Sequence, residues 1–319
     1  MERRSLGASG VSVSVVGLGG FELGHEEGEP PGVARAVRVI ETALDAGTDW
    51  LDTSENYHET RNESLIGAAL ARVHGDVMVS SKASPEPAIT GGGSGFRRHE
   101  IHAACRGSLE RLGRDHIDLY FLHFPDEKGV PLEESWGAMA ELVDQGLVRA
   151  IGLSNYELAD IERCHAQRSV DVIQDGLSLL ELDLQGAIVR CGEHGIGAVI
   201  YEPLASGILS DKSLEQLRAL WDGPWIGSYF YERLLAPGKG EQSMVVADGM
   251  RPIAARLDVT VAQLAIAWVL HQGGVSAAIV GSRDGRHVAE NAAAAEITLG
   301  DALAELDALI PLGPTFKAG

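Results

Sequence analysis

The sequence predicts an α/β protein: a closed (β/α)8 TIM barrel entered through a short N-terminal β-hairpin. Three observations predict it. Eight short runs rich in Val, Ile and Leu recur along the chain, as strands buried on both faces do. Amphipathic helical stretches separate them, and alternating strands and helices imply a parallel sheet joined by crossovers. Several of those helices stop at a glycine, the common left-handed cap.

The elements follow in order. Residues 3–13, broken by Gly7-Ala8-Ser9-Gly10, read as a hairpin able to plug one barrel end. Residues 15–19 give the first strand, and 48–53, 76–82, 117–123, 149–155, 171–174, 198–201 and 277–281 give the other seven. Helices are expected at 33–46, 97–112, 132–145 and 185–193, closed by Gly47, Gly113, Gly146 and Gly195. Two stretches are irregular. Residues 84–95 hold Pro85, Pro87 and the run Gly91-Gly92-Gly93-Ser94-Gly95, which predicts a mobile loop. Residues 206–245 carry Trp221, Trp225, Tyr229, Phe230 and Tyr231 among Gly and Pro. Both follow strands, which puts them on the barrel face where active sites lie. No repeat or low-complexity linker divides the chain, so residues 1–319 are expected to form a single domain.

Composition excludes several functions. A formal net charge of −20 repels phosphate backbones and argues against nucleic acid or an anionic membrane as partner. No run of 18 apolar residues supplies a membrane span, and the N-terminus lacks the apolar core of a signal peptide. Cys105, Cys164 and Cys191 share no metal-ligand spacing and read as thiols of a reducing compartment, so the expected location is the cytoplasm and no metal is expected. The oligomeric state is open.

Of 26 basic residues only five are lysines, and Lys82 alone stands in an apolar, regular setting. It ends a strand, as do Asp52, His123, Asn155, Gln174 and Tyr201, with Tyr57 five residues beyond Asp52 and Gly281-Ser282-Arg283 closing the last strand. In a closed barrel these positions converge on one mouth. Each alone is a weak signal, an aspartate after a strand being more often a helix cap and a lone histidine more often a core residue; the joint placement is the signal.

Five ordered motifs then carry a resemblance. These are Asp52-Thr53-Ser54-Glu55-Asn56-Tyr57 with Asn62-Glu63 and Ile66-Gly67; Ser108-Leu109-Glu110-Arg111-Leu112-Gly113; Asp118-Leu119-Tyr120 with Leu122-His123; Gly152-Leu153-Ser154-Asn155-Tyr156; and Pro203-Leu204-Ala205-Ser206-Gly207-Ile208-Leu209. From about residue 6 to 295 the chain resembles the aldo-keto reductase family. The resemblance implies reduction of a small-molecule carbonyl, with Asp52, Tyr57, Lys82 and His123 as catalytic residues. Elementary chemistry agrees. A phenol with an ordinary pKa near 10 is protonated at neutral pH but a sluggish donor. An adjacent lysine ammonium is expected to stabilise the phenolate and bring that pKa towards the working range. Asp52 is expected to hold Lys82 charged and in place, and neutral His123 to orient the substrate oxygen.

The cofactor is implied by the resemblance, because Gly17-Leu18-Gly19-Gly20 does not continue as a dinucleotide-binding GxGxxG turn. Ser154, Asn155 and Gln174 are implied to bond the nicotinamide amide and Tyr201 to stack on its ring. Pro203, Leu204, Gly207 and Leu209 are implied to line the loop beside it. Gly281, Ser282 and Arg283 precede a helix whose N-terminal amides favour an anion. Arg283 suits a 2′-phosphate, which points to NADPH. His287 departs from the family's usual Gln or Arg, whereas Glu290 and Asn291 match its adenine-contacting pair.

Three functions stay open: a carbonyl reductase; a same-fold enzyme acting on C=N or C=C or running as a dehydrogenase; and a non-catalytic NADPH-sensing subunit. The aromatic loop after Tyr201 is either a wall for a ring-shaped or polyketide-like ketone or simple loop packing. The acidic run Glu22, Glu26, Glu27 and Glu29 beside His25 reads as a solvated face or as an attractor of a cationic substrate such as an amino sugar.

Overall fold

The computed structural model describes residues 1–24, 31–85, 94–220 and 231–312. The chain opens with β1 (Arg3–Ser5) and β2 (Ser12–Ser14), an antiparallel pair. Then come β3 (Val16–Gly19), β4 (Trp50–Asp52), β5 (Met78–Ala83), β6 (Ile117–Leu122), β7 (Val148–Ser154), β8 (Val172–Gly176), β9 (Gly197–Tyr201) and β10 (Ala277–Gly281). These pair in the order β10-β3-β4-β5-β6-β7-β8-β9 and close into a barrel. The helices α1 (Pro31–Asp45), α2 (Arg61–Leu70), α3 (Arg98–Leu112), α4 (Leu132–Asp144), α5 (Leu158–Gln167) and α6 (Gln185–Glu193) each follow one strand. Between β9 and β10 lie α7 (Leu214–Leu220), α8 (Lys239–Leu257) and α9 (Val261–Leu270), while α10 (Gly285–Ala293) and α11 (Ala302–Asp307) end the chain's described part.

The glycine caps hold: Gly47, Gly113, Gly146 and Gly195 all have positive φ, from 66° to 88°. Strand bounds shift by a few residues. The second barrel strand is only Trp50–Asp52, shorter than the expected 48–53. Thr48 N–H goes back to the Ala43 carbonyl of α1 and so stays out of the ladder, while Asp49 gives its carbonyl to the Met78 amide of β5 and its carboxylate to the Ser14 amide.

Side chains alternate across a strand with period two, and that alternation explains how the mouth is built. One face of the strands packs Trp50, Leu119, Phe121, Ala150, Val172, Val199, Ala277 and Ile279 into a cluster with Leu6, Val11 and Val13 of the hairpin segment. The plug is therefore real, and fully burying each such side chain stabilises by about 1.5–3 kcal/mol. Trp50 also explains the glycine at 17, since a Cβ there would lie 2.3 Å from its indole. Two residues beyond Trp50, Phe121, Val172 and Val199 come Asp52, His123, Gln174 and Tyr201. The apolar half of the column seals one barrel end, and the polar half faces the other.

Among the described residues no single helix is long and apolar enough to cross a membrane. A pair bent by 91°, α8 with α9, passes on composition, and α9 is a buried core helix. Cys105, Cys164 and Cys191 are free and buried, with burial pushing their thiols up to about 12, 12 and 11.

Candidate active site

The strand register brings the predicted side chains to one rim. Gly281 pairs with Gly19, Gly19 with Asp52, Asp52 with Ser80, Ser154 with Gln174, and Gly176 with Tyr201. At its centre is Lys82, which is fully buried. Its ammonium donates to Asp52 Oδ2 at 2.6 Å, to the Thr53 carbonyl at 2.8 Å and to the Tyr57 hydroxyl at 3.2 Å. Asp52 Oδ1 accepts from Ser80 Oγ at 2.6 Å and from Gln174 Nε2 at 2.9 Å.

Burial works to neutralise Lys82, but the Asp52 carboxylate and the Tyr57 hydroxyl hold its pKa above the ordinary 10.5, so it is an ammonium. Tyr57 differs from the expectation. Enclosure by its neighbours raises the phenol above its ordinary 10.0, the Lys82 ammonium pulls the other way, and Asp52 adds to the rise. The net direction is up, because desolvation outweighs the ammonium. Lys82 stabilises the phenolate without bringing it to neutral pH in the free site. His123 is neutral as expected: burial first and Lys82 second hold it well below 6.5. Its Nδ1 lies 3.0 Å from both Ser54 Oγ and Ser84 Oγ.

Sequence reasoning missed the aromatic surround. The Tyr57 ring meets Phe21 edge-on at 5.0 Å and His123 at 5.7 Å, and Phe124 stacks on His123 at 4.2 Å. The signal was available, since Phe21 lies two residues past the end of β3 and Phe124 follows His123. Tyr57 also sits before three left-handed non-glycine residues, His58, Glu59 and Thr60, at φ 51°, 55° and 70°. That conformation is costly for L-residues, and nothing in the composition announces it. Glu55 is a further residue without a sequence signal beyond its motif. It accepts the Ser84 amide at 2.7 Å and the Ser94 hydroxyl at 2.8 Å, stapling together both ends of the 84–95 segment. These ends are fixed; residues 86–93 of the expected mobile loop lie outside the described residues. Other motif residues serve the frame. Asn62 donates to the Gly20 carbonyl, Glu63 bonds Ser81 and Arg111, and Asp118 bonds the Val79 amide and Arg149.

The residues implied to hold a nicotinamide form one connected group. Asn155, left-handed at φ 65°, donates through Nδ2 to the His123 carbonyl at 2.9 Å and to Ser154 Oγ at 3.0 Å. Its Oδ1 accepts the Tyr201 hydroxyl at 2.6 Å. Tyr201 is backed by Gly176, where a Cβ would lie 3.1 Å from the ring. Gln174 gives one N–H to Asp52, and an amide has a second N–H and a carbonyl besides. Of the loop after β9, Leu204 and Gly207 are half-buried and Pro203 is buried. Leu209 is wholly buried in the core, backbone included, and so does not line the loop surface as the resemblance implied.

The anion-binding features carry carboxylates. Arg283 Nε lies 3.7 Å from Glu22 Oε2. Asp284 Oδ1 accepts the Arg286 amide at 2.9 Å and so caps the N-terminus of α10, which the sequence reading assigned to an anion. Glu202 bonds both the amide and the hydroxyl of Ser206. Near the same helix, Ser282 Oγ accepts the Asp284 amide, His287 lies beside Arg286, Glu290 gives its carbonyl to Gln263, and Asn291 is buried. Glu22 thus faces a guanidinium. Its fellow acids Glu26, Glu27 and Glu29, His25, and Trp221, Trp225, Tyr229 and Phe230 lie outside the described residues, as does the side chain of Tyr231.

A sequence profile of the Aldo/keto reductase family matches residues 15–310. The chain belongs to the aldo/keto reductase family. Members of this family are generally NAD(P)H-dependent carbonyl reductases. The chain is 30% identical over 317 residues to probable aldo-keto reductase 1 of Glycine max, covering 97% of this chain and 88% of that one. A thermostable aldo-keto reductase solved with the inhibitor epalrestat aligns at a TM-score of 0.77 and 28% identity, covering 97% of this chain and 100% of the other. A glycerol dehydrogenase from Gluconobacter oxydans aligns at 0.82 and 25% identity, covering 99% of each chain. As an aldo/keto reductase the chain takes a nicotinamide cofactor. The planar Tyr201 ring, fixed by Asn155 at a rim of amide and hydroxyl groups, fits the nicotinamide end of such a group.

Proposed function

We propose that this aldo/keto reductase reduces an aldehyde or ketone to the alcohol with NADPH, Tyr57 giving the proton. One observation carries the proposal: the buried Lys82 ammonium touches the Asp52 carboxylate at 2.6 Å on one side and the Tyr57 hydroxyl at 3.2 Å on the other. Held by Ser154, Asn155, Gln174 and Tyr201, a reduced nicotinamide would supply the hydride for the carbonyl carbon. Tyr57, protonated at neutral pH as an ordinary phenol is, donates its proton to the oxygen as negative charge develops there. The phenolate left behind is held by Lys82, which keeps its own protons. At 3.2 Å and an effective dielectric near 20, that attraction is worth about 5 kcal/mol. Neutral His123 orients the carbonyl oxygen, and Phe21 and Phe124 are apolar walls beside it. Solvent returns the proton to Tyr57.

Ser154, Asn155 and Gln174 are the proposed ligands of the nicotinamide amide, and Tyr201 of its ring. Leu204 and Gly207 line the proposed path towards Gly281, Ser282 and Arg283. Arg283 supports NADPH over NADH through a bidentate grip on the 2′-phosphate, with Glu22 as its partner in the free site. Likeness to a glycerol dehydrogenase favours the reverse reaction, alcohol oxidation, as the second reading, with Tyr57 then acting as base.

The test is consumption of NADPH and of NADH over a panel of carbonyls, in wild type and Tyr57→Phe. Loss of turnover in Tyr57→Phe with intact NADPH binding is expected. Unchanged turnover removes Tyr57 from the chemistry, and equal efficiency with NADH removes the cofactor preference.

A further inference from the structure

We infer that Asp175 is a positioning residue for the cofactor platform, holding Asn155 in the left-handed turn from which it fixes Tyr201 and the end of β6. The inference rests on the proposal that this rim takes the nicotinamide. Gln174 points into the barrel, so Asp175, the next residue of β8, stands behind the wall. It is 1% exposed. A carboxylate there is costly unless bonded, and its side chain makes a single hydrogen bond among the described residues. Oδ1 accepts the Asn155 backbone N–H at 2.9 Å, and Oδ2 has no partner.

That one bond falls where it matters. Asn155 sits at φ 65°, a left-handed conformation that most L-residues avoid and that asparagine adopts where local hydrogen bonds support it. Its side chain ties the ends of three strands: the His123 carbonyl after β6, Ser154 Oγ of β7 and the Tyr201 hydroxyl of β9. Without the Asp175 carboxylate the Asn155 amide is left buried and unpaired. The turn is then free to relax, and the side chain leaves Tyr201.

The test is a double-mutant cycle on the full chain, reading NADPH dissociation constants from the nucleotide's own fluorescence. Asp175→Ala is expected to weaken NADPH about tenfold, as leaving a buried donor without its partner does. Asp175→Asn keeps an acceptor at the same place and is expected to restore affinity to within about threefold of wild type. If Asp175 acts through Asn155, the double variant Asp175→Ala/Asn155→Ala binds no more weakly than Asn155→Ala alone. The KM for NADPH rises more than the KM for the carbonyl. NADPH binding unchanged in Asp175→Ala, or effects that multiply in the double variant, overturns the inference. Binding unchanged in Asn155→Ala as well removes the nicotinamide assignment of the rim itself. Should Asp175→Ala fail to fold, Asp175→Ser, too short to reach the Asn155 amide, carries the same cycle.

Discussion

The buried pair Asp52–Lys82 is predicted to be energetically lopsided, and the structure gives the sense. In Lys82→Met the Asp52 carboxylate keeps two donors, Ser80 Oγ at 2.6 Å and Gln174 Nε2 at 2.9 Å. In Asp52→Leu the fully buried ammonium keeps only the neutral Thr53 carbonyl and the Tyr57 hydroxyl. Removing one partner of a buried ion pair costs about 3–5 kcal/mol because a charge is left uncompensated. Asp52→Leu is assigned that cost and Lys82→Met roughly half of it. At roughly 2 °C per kcal/mol for a chain of this size, the melting temperature of Asp52→Leu falls by about 6–10 °C. The double variant Asp52→Leu/Lys82→Met is expected to recover part of the loss, since no charge then remains buried there. Lys82 has a raised pKa in the fold, so its contribution is complete below 10.5 and is lost as pH rises through the raised value. Melts at pH 7 and pH 9 therefore agree on the size of this contribution. Circular-dichroism melts of the four proteins decide. An Asp52→Leu variant within about 1 kcal/mol of wild type, or strict additivity in the double, refutes the reasoning.

Other consequences follow from the same site. Lys82→Met is expected to lower kcat by about 10³-fold or more, the loss of some 5 kcal/mol of phenolate stabilisation, with NADPH affinity nearly unchanged by fluorescence titration. The kcat profile between pH 5 and 8 is expected to show no inflection from His123, which is held neutral by burial and Lys82; an inflection that disappears in His123→Asn contradicts this. Asp175, pushed by burial from 3.8 to about 7, binds its proton more tightly when folded, so its presence lowers stability as pH rises from about 4 to 7. At about 1.4 kcal/mol per pH unit the upper bound is about 4 kcal/mol. Urea midpoints of Asp175→Asn are expected to lose that slope. Glu55→Ala frees both ends of the 84–95 segment, and limited proteolysis is expected to cut there faster than in wild type.

The barrel was legible because its strands are buried on both faces and its helices end at glycine. The gathering of candidate residues at one mouth was legible because period-two alternation sends Asp52, His123, Gln174 and Tyr201 into the barrel beyond an apolar layer. Hydrogen-bond commitments were not legible. Asn155 reads from the sequence as a ligand of the cofactor, and the sequence does not show that both ends of its amide are also bonded within the protein, leaving one Oδ1 lone pair. Asp175 carries no signal in the sequence, since its one hydrogen bond goes to a left-handed turn 20 residues away. The direction of the Tyr57 shift was misread because the lysine is visible in the sequence and the enclosing walls are not. The partner of Arg283 was not legible, because only the pairing of β10 with β3 brings Glu22 to it. Local pattern gives periodicity and caps; partners distant in sequence come from closure of the sheet.

A crystal structure with NADP+ and a carbonyl inhibitor tests the central claim most directly. The nicotinamide is expected against Tyr201, with the inhibitor oxygen within hydrogen-bond reach of both the Tyr57 hydroxyl and the His123 ring, and Lys82 still bridging Tyr57 and Asp52. A dinucleotide bound elsewhere, or a Tyr57 hydroxyl turned away from the inhibitor oxygen, contradicts the account.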